Sequence, residues 1–225
     1  MRRDLKYALN LLLSVPIFYK YKDRTLLSGR PYIDNLSLIG TVVDKEILKN
    51  GAIVECGTWR GGMAAGMIEF CGKDKFYCFF DSFEGLPQPK EIDGKKALEY
   101  AVDKDSPLYH NNARASIEIF NDTIARTGIK QDNVTIVKGF YEKSFQTFDS
   151  PQISVLRLDS DWYESTMLCL EKFWDFVIAG GIILIDDYYT FDGCSRAVHD
   201  FLSKNKSADN IRMGPIGQVA YIQKK

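Results

Sequence analysis

Two apolar runs that stop in acid constrain this chain more than any other feature. Residues 153–158 are apolar apart from Ser154 and Arg157, and they lead into Asp159-Ser160-Asp161. Residues 181–185 lead into Asp186-Asp187. Short apolar runs without alternation predict strands buried on both faces of a sheet. Ionised carboxylates gathered at strand ends repel one another, so they must be paired, protonated or bound to a cation. The pattern therefore predicts one site along one edge of a sheet.

The remaining segments supply the sheet. Strands are expected over 52–57, 76–81, 134–138, 153–158 and 181–185, with a terminal hairpin over 211–216 and 219–223 that turns at Gly217-Gln218. Helices are expected over 1–22 (broken or kinked at Pro16), 42–48, 61–70, 112–126, 141–148, 164–178 and 194–204. Residues 23–40 carry Gly29, Pro31 and Gly40 and read as loop-rich. Residues 83–111 are mostly polar, with Pro87, Pro89, Gly94 and Pro107, too long for a plain connection and of the kind that forms lids or binding loops. Strands alternating with helices imply βαβ units and a mostly parallel sheet covered by helices on both faces, closed by a C-terminal antiparallel hairpin. Two parts are expected: an N-terminal helical or lid segment over 1–50 and one α/β domain over 51–225, with 83–111 as its acceptor insert. In such sheets ligands bind beyond the carboxyl ends of the strands, where the polar residues of this chain collect.

The formal charge of −1 gives no electrostatic case for nucleic acid or a membrane surface. Cys56, Cys71, Cys78, Cys169 and Cys194 form an odd set without a C-x-x-C pair, which argues against a disulfide framework and for a reducing, cytoplasmic setting. The N-terminus has the outline of a signal peptide, Arg2-Arg3 before apolar residues 8–13 and 15–19. Asp4, Lys6 and Asn10 interrupt it, and Lys20 and Lys22 stand where small residues would mark a cleavage site. It is also shorter than the roughly 20 apolar residues that span a bilayer. The better reading is an amphipathic helix packed on the domain or on a partner subunit, and hence a homo-oligomer.

Glu55-Cys56-Gly57-Thr58-Trp59-Arg60-Gly61-Gly62 is a strand, a glycine-rich turn and a helix start. It is neither G-x-x-x-x-G-K-[ST] nor G-x-G-x-x-G, so neither an NTPase nor a dinucleotide enzyme is supported. Asp81 ends the second strand, where a carboxylate can accept both ribose hydroxyls of a nucleoside. The competing account is a tight turn with a helix-capping aspartate. At the second site, two histidines in the whole chain, His110 and His199, supply a zinc site poorly. Asp159, Asp161, Asp186 and Asp187 offer only oxygen, which suits Mg²⁺, Mn²⁺ or Ca²⁺. Neighbouring strands lie about 4.8 Å apart, so Asp159 and Asp186 could share an ion. Asp159 and Asp161 would face the same way if the strand stays extended, one toward metal and one toward a substrate hydroxyl. Helix capping, or pairing with Arg157 or Arg196, is the alternative for each.

Four segments together resemble one family. Glu55 to Gly62 as quoted, Asp81-Ser82-Phe83-Glu84-Gly85-Leu86-Pro87, Leu156-Arg157-Leu158-Asp159-Ser160-Asp161-Trp162-Tyr163-Glu164-Ser165-Thr166, and Gly180-Gly181-Ile182-Ile183-Leu184-Ile185-Asp186-Asp187-Tyr188 are similar, in that order, to the motifs of the macrocin O-methyltransferase (TylF-type) family. The resemblance implies a class I S-adenosylmethionine (SAM) fold, a divalent cation, usually Mg²⁺, and methylation of a hydroxyl on a sugar or a glycosylated natural product. The acceptor would be a glycoside or sugar nucleotide. By position, Asp159, Asp186 and Asp187 would hold the metal and Asp161 would be the general base. Glu55, Gly57, Thr58 and Arg60 would line the methionine end of SAM, Asp81 the ribose and Ser82 the adenine, with Gly139 and Phe140 under the adenosine. Thr25, Ser28, Arg30 and Tyr32 echo a cofactor-covering segment. The pattern departs at Gln218-Val219-Ala220-Tyr221, which lacks the expected tryptophan.

Other classes explain less. A dinucleotide oxidoreductase shares the glycine turn and Asp81 but does not need the acidic quartet, and a metal hydrolase leaves the Glu55–Asp81 pocket without a use. A catechol-type acceptor is the nearest rival within methyltransferases, since a catechol also chelates a cation. A SAM-binding protein without turnover would have no reason to keep four aspartates.

Overall fold

The structure, a computed structural model, describes residues 3–102 and 112–225. In chain order the helices are α1 (Arg3–Tyr21), α2 (Gly29–Val42), α3 (Lys45–Asn50), α4 (Gly62–Cys71), α5 (Lys95–Val102), α6 (Ile117–Ala125), α7 (Tyr141–Ser144), α8 (Tyr163–Phe173) and α9 (Asp192–Lys204). The strands are β1 (Ala52–Cys56), β2 (Tyr77–Asp81), β3 (Val134–Lys138), β4 (Ile153–Leu158), β5 (Val177–Ile185), β6 (Ile211–Met213) and β7 (Ala220–Gln223).

The strands form one seven-stranded sheet in the order β3-β2-β1-β4-β5-β7-β6. β1 to β5 are parallel, while β7 runs antiparallel between β5 and β6. Chain order reverses between β1 and β4, which opens a crevice at their carboxyl ends.

Alternation along each strand divides the core in two. Val54, Cys56, Cys78, Phe80, Leu156, Leu158, Ile183 and Ile185 face α8 and α9. Ile53, Tyr77, Phe79, Val155, Ile182 and Leu184 face α2, α4 and α6. The apolar runs of the central strands are runs because both faces are covered by helices.

Several expected boundaries move. Residues 23–40 are not loop-rich: α2 occupies Gly29–Val42. Gly29 and Pro31 fall in its first turn, where a missing N–H costs nothing. Gly40 lies where α1 crosses, and a Cβ there would sit 2.7 Å from Asn10 Nδ2. Pro16 does not break α1, which runs through it. Asn10 and Tyr7 bond to α2 on one side of the proline, and Tyr21 is buried on the other, so packing holds both halves in line.

The expected helix over 112–126 begins only at Ile117, where Ser116 Oγ accepts from Ile119 N at 3.3 Å. The helix expected over 164–178 stops at Phe173, and β5 starts early, at Val177. The insert carries a short turn of helix at Glu91–Asp93 and then α5, and its residues 103–111, with His110, lie outside the described residues.

Candidate active site

A cavity of about 710 Å³ opens beyond the carboxyl ends of β1, β2, β4 and β5. It runs from the turn after β1, past Asp81 and Ser82, to Asp159, Asp161, Asp186 and Asp187. Thr25, Ser28, Arg30 and Pro31 close it from the N-terminal side, and Pro87, Lys96 and Tyr100 from the insert.

The first half is built by backbone. Gly57 has φ +85°, and a Cβ there would lie 1.8 Å from the Asp159 carbonyl oxygen. The ends of β1 and β4 can meet only because that position has no side chain. Asp81 Oδ2 accepts from Thr58 N and Trp59 N, both at 2.8 Å, and Oδ1 accepts from Phe83 N at 2.7 Å. Asp81 thus closes the turns after β1 and β2, as the tight-turn account expects, while still lining the cavity. Burial raises its pKa, and the three backbone donors oppose that rise.

Of the residues expected around the cofactor, Glu55, Gly57, Thr58, Asp81, Ser82, Gly139 and Phe140 line the cavity. Arg60 is not brought to it. Its guanidinium stacks over the Trp59 ring at 4.4 Å. Tyr32, expected in a covering segment, is fully buried and bonds to the Gly62 carbonyl at 2.9 Å.

The second half is organised by Arg157, a buried cation next to the carboxyl end of β4. It bonds Glu55 Oε1 at 2.8 Å and Asp159 Oδ2 at 2.9 Å, and lies 3.0 Å from Asp186 Oδ1. Asp186 Oδ1 also accepts from Asn35 Nδ2 on α2 at 3.0 Å. Burial pushes Glu55 up to about 8 against the pull of Arg157.

Carboxylate oxygens of Asp159, Asp161 and Asp187 lie within 4.8 Å of one another, and Asp186 is not in that ring. The chain does not stay extended after β4. It turns at Ser160, whose carbonyl accepts from Trp162 N at 2.6 Å, and Asp161 takes φ +56°. Its N–H donates to Asp187 Oδ2 at 3.3 Å. A turn, rather than strand alternation, delivers the Asp161 carboxylate to its neighbours.

Burial, opposed by Arg157, raises Asp159 to about 6, and burial followed by the neighbouring carboxylates holds Asp161 and Asp187 well above the usual carboxylate range. Three acids crowded so closely are proton-sharing or cation-binding. Their oxygen-only donor set fits a hard divalent cation.

Sequence reasoning missed the devices that hold this arrangement. Asp93, in the insert, is buried and accepts from Tyr163 N and Lys90 N, each at 2.7 Å. Trp162 Nε1 donates to the Pro87 carbonyl at 2.9 Å. The two residues after Asp161 are therefore clamped to the insert. Pairing with Arg157 was the alternative reading for each aspartate, and Asp159 and Asp186 do pair with it. Asn35 and Asp93 carried no readable signal.

A sheet in this order, with its cavity beyond the reversal between β1 and β4, is the class I SAM-methyltransferase fold. The particular branch follows from the sequence: a model of the macrocin O-methyltransferase (TylF) family matches residues 24–222, and the chain belongs to that family. It is an enzyme, a methyltransferase. It is 32% identical over 190 residues to the 8-demethyl-8-(2,3-dimethoxy-alpha-L-rhamnosyl)-tetracenomycin-C 4'-O-methyltransferase of Streptomyces olivaceus, covering 81% of this chain and 69% of that one. It is 29% identical over 167 residues to demethyldecarbamoylnovobiocin O-methyltransferase of Streptomyces niveus, covering 72% of this chain and 62% of that one. Among solved structures, the O-methyltransferase NovP superposes with a TM-score of 0.72 at 22% identity, covering 97% of this chain and 99% of that one. Among the described residues, no helix is long and apolar enough to cross a membrane.

Proposed function

We propose that this chain is a SAM- and divalent-metal-dependent O-methyltransferase acting on a sugar hydroxyl of a glycoside or sugar nucleotide. The observation that carries the reading is the ring of Asp159, Asp161 and Asp187 oxygens within 4.8 Å, in the same cavity as the Gly57–Asp81 turn. The names of the two relatives, one specifying a rhamnosyl tetracenomycin and the other demethyldecarbamoylnovobiocin, support the acceptor class.

Asp159 and Asp187 would hold the cation. Asp186, committed to Arg157 and Asn35, would anchor the site from behind. The bound cation would lower the pKa of a coordinated hydroxyl and fix its direction. Glu55, Gly57 and Thr58 would line the methionine end of SAM, Asp81 the ribose, Ser82 the adenine, and Gly139 and Phe140 the adenosine face. Arg60 would act through Trp59, by stiffening the turn. The segment over 1–50 would serve as a cover, since Thr25, Ser28, Arg30 and Pro31 face the cavity.

Bound SAM would supply a sulfonium methyl for in-line displacement by the acceptor oxygen, the electron pair of the broken carbon–sulfur bond staying on sulfur, and Asp161 would take the hydroxyl proton. Such general-base assistance contributes typically about 10²–10⁴-fold, and alignment of oxygen with methyl contributes further.

The test uses methyl-labelled SAM with glycosides, sugar nucleotides and catechols, with Mg²⁺ and with EDTA. Label is expected in a sugar acceptor and lost in EDTA, and Asp161→Asn is expected to keep SAM-induced thermal stabilisation while turnover falls. Full activity in EDTA removes the metal role, wild-type turnover in Asp161→Asn removes the base, and label confined to catechols moves the acceptor to that class.

A further inference from the structure

The tip of the C-terminal hairpin is held by a single buried carboxylate. Among the described residues β6 is an edge strand that pairs only with β7, and Arg212, Met213, Pro215, Ile216 and Gln218 around it are exposed. Ile216, Gly217 and Gln218 nevertheless line the cavity. Register sets Ala220 against Ile185, so the tip stands beside Asp186 and Asp187, beyond the carboxyl end of β5. Gln218 takes φ +58°, a backbone conformation that costs a side-chain-bearing residue and persists only where contacts hold it.

Those contacts come from Asp34 on α2, which is fully buried. Its Oδ2 accepts from Gly217 N at 2.7 Å, and its Oδ1 accepts from the Tyr7 hydroxyl on α1 at 2.5 Å. The hairpin is shaped around this group. A Cβ on Gly214 would lie 2.2 Å from Asp34 Oδ2, and one on Gly217 would lie 2.7 Å from Asp34 Cβ. Burial raises the Asp34 pKa, and bonds from Tyr7 and from the Gly217 and Ile216 backbone oppose the rise. Burial and the Asp34 carboxyl push the Tyr7 phenol far up, which keeps it the donor. The next residue, Asn35, donates to Asp186 at 3.0 Å. Two consecutive residues of α2 thus hold the hairpin tip and the aspartate beside it.

We propose that Asp34 is a positioning residue. It fixes the hairpin tip, with Ile216 and Gln218, as the wall against which the acceptor is held, and through Tyr7 it ties that wall to α1. The inference rests on the function proposed above only in giving the acidic end of the cavity to the acceptor. General support of the fold is the competing account, but α2 and β7 are fixed by other means. Leu36 and Ile39 are fully buried, and Gln223 Nε2 donates to the Val42 carbonyl at 3.2 Å.

The experiment compares Asp34→Leu, which keeps the volume and removes both acceptors, with Asp34→Asn, which can still accept from Gly217 and donate to the Tyr7 oxygen. Hydrogen exchange of the full chain, read by mass spectrometry, needs no acceptor. D34L is expected to speed exchange of the Ile216 and Gly217 amides by about tenfold or more, the weight of one hydrogen bond to a charged group. Exchange in β7 and α2 and the SAM-induced thermal shift are expected to stay at wild-type values, and D34N is expected to resemble wild type throughout. Kinetics use methyl-labelled SAM with methyl α-L-rhamnoside. The KM for this acceptor is expected to rise in D34L and not in D34N, with kcat and SAM affinity little changed.

Unchanged tip exchange in D34L overturns the proposal. So does β7 exchanging as fast as the tip, which would make Asp34 a support of the whole fold, and so does D34N behaving like D34L. Tip exchange that rises while the acceptor KM stays put removes the wall from acceptor binding. Failure of every variant and the wild type to methylate the rhamnoside counts against the function proposed above, and tip exchange then decides the positioning by itself.

Discussion

The Arg157 guanidinium donates to the Glu55 carboxylate at 2.8 Å across the β1–β4 seam, with both side chains fully buried. The two residues are direct register partners on neighbouring parallel strands. A buried pair contributes little over an apolar substitute of the same shape, but removing one partner leaves a stranded charge. Arg157→Met is therefore expected to cost about 3–5 kcal/mol in urea unfolding, and adding Glu55→Gln is expected to recover part of it. The sign with pH follows from Glu55, which burial already raises to about 8. Without Arg157 its pKa rises further, so the protonated form folds readily and the ionised form does not. The deficit should widen as pH rises through that range, and a deficit that shrinks with pH would contradict the pairing.

Asp186 and Asp187 are adjacent in sequence but face different partners. Saturating Mg²⁺ at about one hundred times its Kd is expected to stabilise the wild type by about 2.7 kcal/mol. Asp187→Asn should abolish that shift, while Asp186→Asn should lower basal stability and keep most of it. Calorimetry showing the reverse would place Asp186 in the metal set and Asp187 outside it.

Gly57→Ala places a Cβ against the Asp159 carbonyl, which is backbone and cannot swing aside. Together with φ +85° this is expected to cost more than about 3 kcal/mol, or to prevent soluble expression. Gly139→Ala is the control. Its φ is +134°, but the nearest atom to a Cβ is 3.8 Å away, so backbone strain of roughly 1–2 kcal/mol is the expected loss. Equal losses in the two variants would refute the account of close approach.

Asp93→Ala releases the insert from the turn that carries Asp161. Leaving the Tyr163 and Lys90 N–H groups without acceptors is expected to cost about 1–3 kcal/mol. The kinetic signature is a higher acceptor KM and a lower kcat at unchanged SAM affinity. SAM affinity falling in step with activity would instead indicate general damage to the fold.

Burial pushes the Cys71 and Cys78 thiols up to about 12, and Cys56 and Cys194 well above the ordinary value. Thiolate is the reactive form, so these four should react slowly with dithionitrobenzoate until the protein unfolds. Fast titration of more than one thiol in the native protein would show that the core is looser than this packing requires.

Much of this architecture was legible. The strands over 52–57, 76–81, 134–138, 153–158 and 181–185 were marked by apolar runs ending in Gly or Asp, a signal contained within a few residues. The parallel sheet followed from helices between them. α2 was hidden because Gly29, Pro31 and Gly40 read locally as breakers, while two of them sit in a first turn and the third at a helix crossing. The lengths of α8 and β5 were misjudged because Phe173 and Trp174 suit a helix and a strand approach equally well.

The sequence by itself determined which residues end the strands, that acid collects at two of them, and that the turn after β1 must approach something closely. These are properties of neighbours along the chain, set by sterics and periodicity. Only the tertiary structure decided how the acids divide. Register between β1 and β4 puts Arg157 against Glu55, and α2 brings Asn35 to Asp186, two residues far apart in the chain. The left-handed turn at Asp161 then completes the ring with Asp159 and Asp187. A carboxylate's role depends on which charge it faces, and that is settled by contacts between distant segments, where local patterning carries no information.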